Sequence, residues 1–576
     1  MKHLFFLFII LALTCVFSFS SYAEDCNIFI HGYTRKSEGY FGNLPRQVLW
    51  NSSLPIEESS PLVAAGILEQ MKTCAQGSSI ILRPHSYGAS QVFYILGLGK
   101  RLQKLRPFHP YVEIYKKVIS VMSYTGAYHG TPMMDYRCAQ SKAFENIADW
   151  LGKDCVTNLS SSRQLDAAYQ VTSTGVPTYL IYSTNNSGFM NLAGKFLSKQ
   201  EVNYSDYKNG LILQNDNSLP LYSTMGCAGT DPITDPLGTC RKIDSNFMFD
   251  LFHETRYHHL AFKNKSEYML RTIDDFLTDS GSENFQSLKY PIDVYKELSL
   301  FDYRISPIDP EKMENPLLRH YEIPSAWATS ELGHFYTKIS SEKNYFSSEK
   351  EAVFKIISKK KEDTAIVEIL RSGLYDDKNK LILDLKKSLT KNSDESFSIL
   401  IPLEQLPDGV YFVKAEVEDQ SLTKKTAFAT KSFSLARNLP LFLMISSDEI
   451  STEGNLMLNT KWSIPSESDY LIEAVLSNES KIPLVAFEEI FHLKEGVQNI
   501  PLQFDGFYFY LKNLSGFFVI TQISLTKMNK NFILRRGELP FVSYRTQNYS
   551  WNDFRSFPKQ DLVMKEKVRL IENTNK

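Results

Sequence analysis

At about residue 285 the sequence changes its texture, and no single-core fold accommodates both halves. Before that point short apolar runs alternate with helical stretches. Residues 27–31, 79–83, 118–124 and 177–183 read as buried strands, and 89–98 reads as a helix packed behind the second of them. Leu270, Ile273, Phe276 and Leu277 form an apolar stripe at helical spacing that closes this region. Beyond it, segments such as 352–357, 364–370, 397–401 and 410–417 are short and alternating, and Pro407-Asp408-Gly409 is a turn signal before the last. The first pattern predicts a mostly parallel sheet flanked by helices, and the second an all-β region. A chain of 576 residues is also longer than one core organises, so several domains are expected.

The all-β part carries a faint internal repeat. Leu403-Glu404-Gln405-Leu406-Pro407-Asp408-Gly409 precedes one strand and Leu511-Lys512-Asn513-Leu514-Ser515-Gly516 precedes another, with the two glycines 107 residues apart. That spacing suits tandem β-sandwiches of about 100 residues each. The organisation expected is a leader over 1–23, an α/β domain over 24–285 and a connecting segment over 286–346. Ig-like sandwiches follow over 347–436 and 437–545, then a polar tail over 546–576.

The leader reading rests on Lys2 and His3, an apolar run from Leu4 to Leu13, and Ser21-Tyr22-Ala23 before a cleavage point. The run is too short to span a bilayer, which needs roughly 20 apolar residues. Lipoprotein anchoring at Cys15 is disfavoured because Thr14 stands where Gly, Ala or Ser is usual. An exported chain then keeps Cys26, Cys74, Cys138, Cys155, Cys227 and Cys240 as disulfide candidates. Pairing neighbours, Cys138 with Cys155 and Cys227 with Cys240, leaves Cys26 for Cys74. No CxxC or HxxxH spacing suggests a metal. A formal charge of −2 gives no reason to expect nucleic acid.

Pro84-His85-Ser86-Tyr87-Gly88 follows the apolar run Ile80-Ile81-Leu82 and opens a helix. This strand–turn–helix setting is that of a nucleophile elbow, usually written Gly-x-Ser-x-Gly, with Pro84 replacing the first glycine. Upstream, Ile28-Phe29-Ile30-His31-Gly32-Tyr33 is an apolar strand ending in His-Gly. Such a strand end supplies one backbone N–H of an oxyanion hole, expected here from Tyr33, and the residue after the nucleophile, Tyr87, supplies the other. His31 itself reads as a structural histidine beneath the turn.

With these motifs in place, residues 26–280 resemble the secreted bacterial triacylglycerol lipases. Tyr124-Thr125-Gly126-Ala127-Tyr128-His129-Gly130-Thr131 is similar to that family's Pro-His-x-Gly-Thr turn, with Tyr128 in the proline's place. Asn215-Asp216-Asn217-Ser218-Leu219 resembles the stretch bearing the catalytic acid, and Tyr257-His258-His259-Leu260 the stretch bearing the base. The resemblance implies an α/β-hydrolase fold and a serine esterase or lipase. Ser86 is then the nucleophile, His259 the base and Asp216 the acid. His258 competes for the base, and Asp231, Asp235 and Asp244 compete for the acid. The family's calcium-binding aspartate falls at Ala261, so no metal is expected, nor any cofactor.

The expected partner is a lipid or other carboxylic ester. A surface or polymer ligand is the expectation for the sandwiches. A polyester or acylated-polymer hydrolase, an acyltransferase, and a non-catalytic surface binding protein remain the rival readings.

Overall fold

The computed structural model describes residues 25–34, 37–128, 130–131, 134, 173–183, 218–219, 221–228, 241–242, 244, 247–254, 256–257, 259–280, 292–308, 328–329, 335–343, 345–360, 363–364, 366–420, 426–528, 534–536 and 543–574. The 1–23 leader, Asp216, His258, Asp231, Asp235, Cys138, Cys155 and Cys240 lie outside the described residues.

Six strands form one parallel sheet: β1 (Cys26–Ile30), β2 (Gln47–Val48), β3 (Ile80–Pro84), β4 (Val118–Tyr124), β5 (Thr178–Ser183) and β6 (Met248–Glu254). Their spatial order is β2-β1-β3-β4-β5-β6. Helices α1 (Ile56–Met71), α2 (Tyr87–Leu102) and α3 (Pro110–Lys117) make crossovers between the first strands. With helices on the sheet, β3 and β4 are buried along their whole length, which is why they read as unbroken apolar runs. Because the strands are parallel, the loops after β1, β3, β4, β5 and β6 gather at one edge of the sheet. Cys26 and Cys74 form a disulfide, with their Cα atoms 5.7 Å apart, near the opposite edge. Cys227 starts a two-residue strand paired with Arg241–Lys242.

The rest of the chain is mostly antiparallel strands arranged as two sandwiches. In the first, one sheet holds Tyr336–Ser340, Glu351–Lys360 and Phe397–Pro402, and the other holds Val367–Asp376, Gly409–Asp419 and Thr426–Leu435. Both sheets feed one core, Phe354, Ile356 and Ile399 meeting Val413, Phe433 and Leu435. In the second, a sheet of Leu441–Ile450, Leu456–Ile464 and Gly496–Phe504 faces one built on Ser468–Ser477, Pro483–Leu493 and Gly516–Met528. Their common core is centred on Trp462, which is fully buried.

Two boundaries differ from the expected ones. The 286–346 stretch is more than a connection: Ile305–Pro307 adds an edge strand to the second sandwich, and Ala328–Thr329 and Tyr336–Ser340 belong to the first. These strands have two to five residues, too few to show a period. The 546–576 stretch is not a free polar tail either. Tyr544–Tyr549 pairs with Gly516–Met528, and the helix Leu562–Thr574 sends Met564 and Ile571 into the α/β core. A narrow apolar stripe on a helix of mostly polar residues is easily passed over in sequence.

The second sandwich and the α/β layer therefore share a core. Leu471, Ile490 and Met528 of the sandwich pack in the same cluster as the β1–β6 residues. Charged groups complete the junction at the C-terminal end of α2. Lys100 and Arg101, both buried, pair with Glu488 at 3.0 Å each, and Arg101 also reaches Glu473. Lys104 pairs with Glu489, and Arg106 with Asp469.

Candidate active site

β3 ends at Pro84 and α2 begins at Tyr87, so the chain reverses within two residues. Ser86 takes up this reversal with φ 55° and ψ −126°. A non-glycine residue there is strained by about 1–3 kcal/mol, and such strain persists only where neighbours over-determine the backbone. They do so here. The Ser86 N–H donates to Tyr124 O (3.1 Å), and Ser86 O accepts from Ala127 N–H (3.0 Å). The His85 N–H donates to Ile30 O (3.0 Å), and Ser90 Oγ donates to Ala127 O (2.6 Å). The turns after β1 and β4 thus clasp the elbow from both sides.

Close approach is possible because two positions lack side chains. A Cβ on Gly88 would stand 2.6 Å from Ile30 O and 2.7 Å from His31 O, so only glycine lets α2 start against β1. A Cβ on Gly32 would collide with the Ser86 side chain itself. This puts the segment His31–Gly32–Tyr33 directly against the serine. Tyr33 follows Gly32 there, and Thr34 is pinned through both its N–H and its carbonyl by Ser52 Oγ (2.8 and 2.9 Å). Tyr87 is the first residue of α2, where backbone N–H groups point out of the helix.

His31 sits under this segment, stacked on Trp50 at 5.1 Å. Its Nδ1 lies 2.6 Å from Gly32 O and its Nε2 accepts from the Trp50 N–H (3.3 Å). Burial pushes its pKa down to about 4, so the ring stays neutral and its work is structural.

His259 opens the short helix α4 (His259–Lys263), which follows β6 at the same edge of the sheet. It is buried, and its ring lies 4.7 Å from that of His85, the neighbour of Ser86. The chain further on is tied to the end of β3 and β4 by Arg83, whose guanidinium donates to Met269 O (2.7 Å), Arg271 O (2.9 Å) and the Tyr124 hydroxyl (2.7 Å). Sequence reasoning passed over Arg83, although a cation in the run Ile80-Ile81-Leu82-Arg83 was a visible signal: a buried charge demands partners.

Among the rivals for the acid, Asp244 is described and lies elsewhere. It precedes β6 and accepts from the Thr174 N–H (2.8 Å) before β5, at the edge where strands begin. Ser86 and His259 stand at the edge where strands end. Among the described residues no cluster of three or more His, Cys, Asp or Glu is arranged to hold a metal, and no helix is long and apolar enough to cross a membrane.

No family profile matches the sequence, and no curated protein does. Solved structures similar to the chain include a DUF4785 family protein from Legionella pneumophila (13% identity, TM-score 0.30, 38% of this chain). The chain covers 59% of that protein's length. Another is the propeptide form of the Bacillus licheniformis lipase BlEst2 (13% identity, TM-score 0.30), where the match covers 91% of this chain and 93% of that one. The phospholipase PlaB from Legionella pneumophila matches at 10% identity and TM-score 0.25, over 72% of this chain and 90% of its own.

Proposed function

We propose that the protein is an exported serine hydrolase of the α/β-hydrolase fold, acting on carboxylic esters with an apolar acyl part. The observation that carries this reading is the strained backbone of Ser86 at a strand–helix reversal, clasped by the loops after β1 and β4. A strained, over-determined serine at the strand-end edge of a parallel sheet is costly to keep, and the sharp strand-to-helix turn is the backbone setting of a hydrolase nucleophile.

In the proposed reaction Ser86 Oγ attacks the acyl carbon while His259 takes the hydroxyl proton. The oxyanion is met by the backbone N–H groups of Tyr33 and Tyr87. As the tetrahedral intermediate collapses, the ester C–O bond breaks and His259 returns the proton to the departing alcohol. Water then attacks the acyl-enzyme with His259 again as base, and the carboxylic acid leaves with Ser86 restored. Asp216 is assigned to orient the imidazole and to stabilise its charged form. The sandwiches are assigned to hold the domain or to bind a surface or polymer.

Hydrolysis of nitrophenyl esters from acetyl to palmitoyl, by the mature protein and by Ser86→Ala, tests this. Turnover that collapses in the variant is expected. No turnover by folded protein on any ester would overturn the reading in favour of a polymer-directed or binding role.

A further inference from the structure

His85 stands one residue before Ser86, is fully buried, and has no part in the reaction as written above. Both of its ring nitrogens are nevertheless engaged. Nε2 lies 2.9 Å from the carbonyl oxygen of His259, and Nδ1 lies 2.7 Å from the hydroxyl of Tyr40. The Tyr40 oxygen in turn receives a hydrogen bond from the backbone N–H of Gly32.

The direction of every link follows from the two ends. An amide N–H can only donate and a carbonyl can only accept. Gly32 N–H therefore donates to the Tyr40 oxygen, Tyr40 O–H donates to His85 Nδ1, and His85 Nε2–H donates to His259 O. A neutral imidazole protonated on Nε2 satisfies the whole chain without an unused donor. The chain joins three separate loops: the turn after β1, the elbow after β3, and the start of α4 after β6. It is buried throughout, where an unmatched polar group is costly, so it has one arrangement.

We infer that His85 and Tyr40 are positioning residues that fix the backbone of His259 against the nucleophile elbow and tie it to the Gly32–Tyr33 segment. The inference rests on the hydrolase reading above. Neither side chain need touch the substrate. The His85 ring also flanks that of His259 at 4.7 Å and 45°, limiting how the base can turn.

The test uses the mature protein, with Tyr40→Phe, His85→Leu and His85→Gln assayed on nitrophenyl butyrate beside wild type and Ser86→Ala. Urea melts and fluorophosphonate titration set the folded, reactive fraction. Tyr40→Phe keeps the ring's bulk and removes only the hydroxyl; kcat is expected to fall about tenfold, the effect of one lost buried hydrogen bond, with KM within about twofold. His85→Leu should fall at least as far. His85→Gln, which restores a donor toward the His259 carbonyl, should recover most of the loss. Packing alone would not separate leucine from glutamine in this way.

A normal kcat in Tyr40→Phe, a glutamine variant as slow as leucine, or a change in KM alone would overturn the inference while leaving an active wild type and the hydrolase reading intact. A wild type without turnover would remove both.

Discussion

A β-carbon on Gly32 would lie 2.5 Å from the Cβ of Ser86 and 3.0 Å from its Oγ. The contact is with the Cβ of a residue whose backbone is held by Tyr124 O, Ala127 N–H and Ala89 N–H, so it cannot swing away. Gly32→Ala must move either the serine or the loop after β1. A displacement near 1 Å in a reacting group costs about 100-fold in rate, and overpacking costs about 1–3 kcal/mol of stability. We expect ester turnover to drop by about that factor in a variant that still melts cooperatively. Wild-type turnover in Gly32→Ala would mean that activity does not depend on this packing.

The shared core makes a second prediction. A fragment ending near residue 285 loses Tyr295, Leu471, Ile490, Met528, Met564 and Ile571, all members of the cluster that covers the parallel sheet. It also leaves Lys100 and Arg101 without Glu488. Such a fragment is expected to aggregate or to bind hydrophobic dyes, as seen by size-exclusion chromatography, whereas the chain through residue 574 should not. A soluble, monomeric fragment would show that the junction is dispensable for folding.

Glu488 gives the junction a pH signature. Burial pushes its carboxyl up, but Lys100 and Arg101 outweigh this and hold it down at about 2, against an ordinary 4.5. A depressed folded-state pKa contributes stability that is present above the unfolded value and lost as pH falls through the folded one. The loss should therefore run from about pH 4.5 to about 2. Glu488→Gln, which breaks a buried pair from one side, should cost about 3–5 kcal/mol at neutral pH. Its disadvantage should shrink as acid is added through that window. Urea melts of both proteins at stepped pH measure this, and a constant difference down to pH 2 would count against it.

The elbow was legible because its signals are local: an apolar run, a serine between small or tight-turn residues, and a helix start within nine positions of each other. Four strands of the parallel sheet, β1, β3, β4 and β5, were legible for the same reason, since burial on both faces leaves continuous apolar runs, whereas the edge strands β2 and β6 carry no such run and were missed. What escaped was non-local. Nothing near Tyr40 marks it as the partner of His85, 45 residues on, and Arg83 meets its carbonyl acceptors 186 and 188 residues away. The edge strand Ile305–Pro307 exists only because Pro483–Leu493 offers it an edge. Lys100 and Arg101 are buried although nothing near them in sequence marks them so, because their partner Glu488 lies nearly 400 residues downstream.

Between Asp216 and Asp244, the acid of the candidate triad is decided by two variants with opposite expectations. Asp244 sits at the edge where the strands begin, and burial pushes its carboxyl up to about 6, against the hydrogen bonds from Thr174 and the charge of Lys100. For an acid raised in this way the folded state holds a proton that the unfolded state has lost. The stability it brings is full below the ordinary 3.8 and declines as pH rises to about 6, by about 3 kcal/mol at most. Asp244→Asn keeps an acceptor for the Thr174 N–H and cannot ionise, so its stability should lack that decline while its turnover matches wild type. Asp216→Asn should do the reverse, leaving the melt unchanged and lowering kcat by about 10⁴-fold, as loss of the orienting carboxylate does in a Ser–His–Asp triad. Turnover that fails in Asp244→Asn and survives in Asp216→Asn would exchange their roles. It would also require the base to be approached from the opposite edge of the sheet, against the placement of His259 after β6.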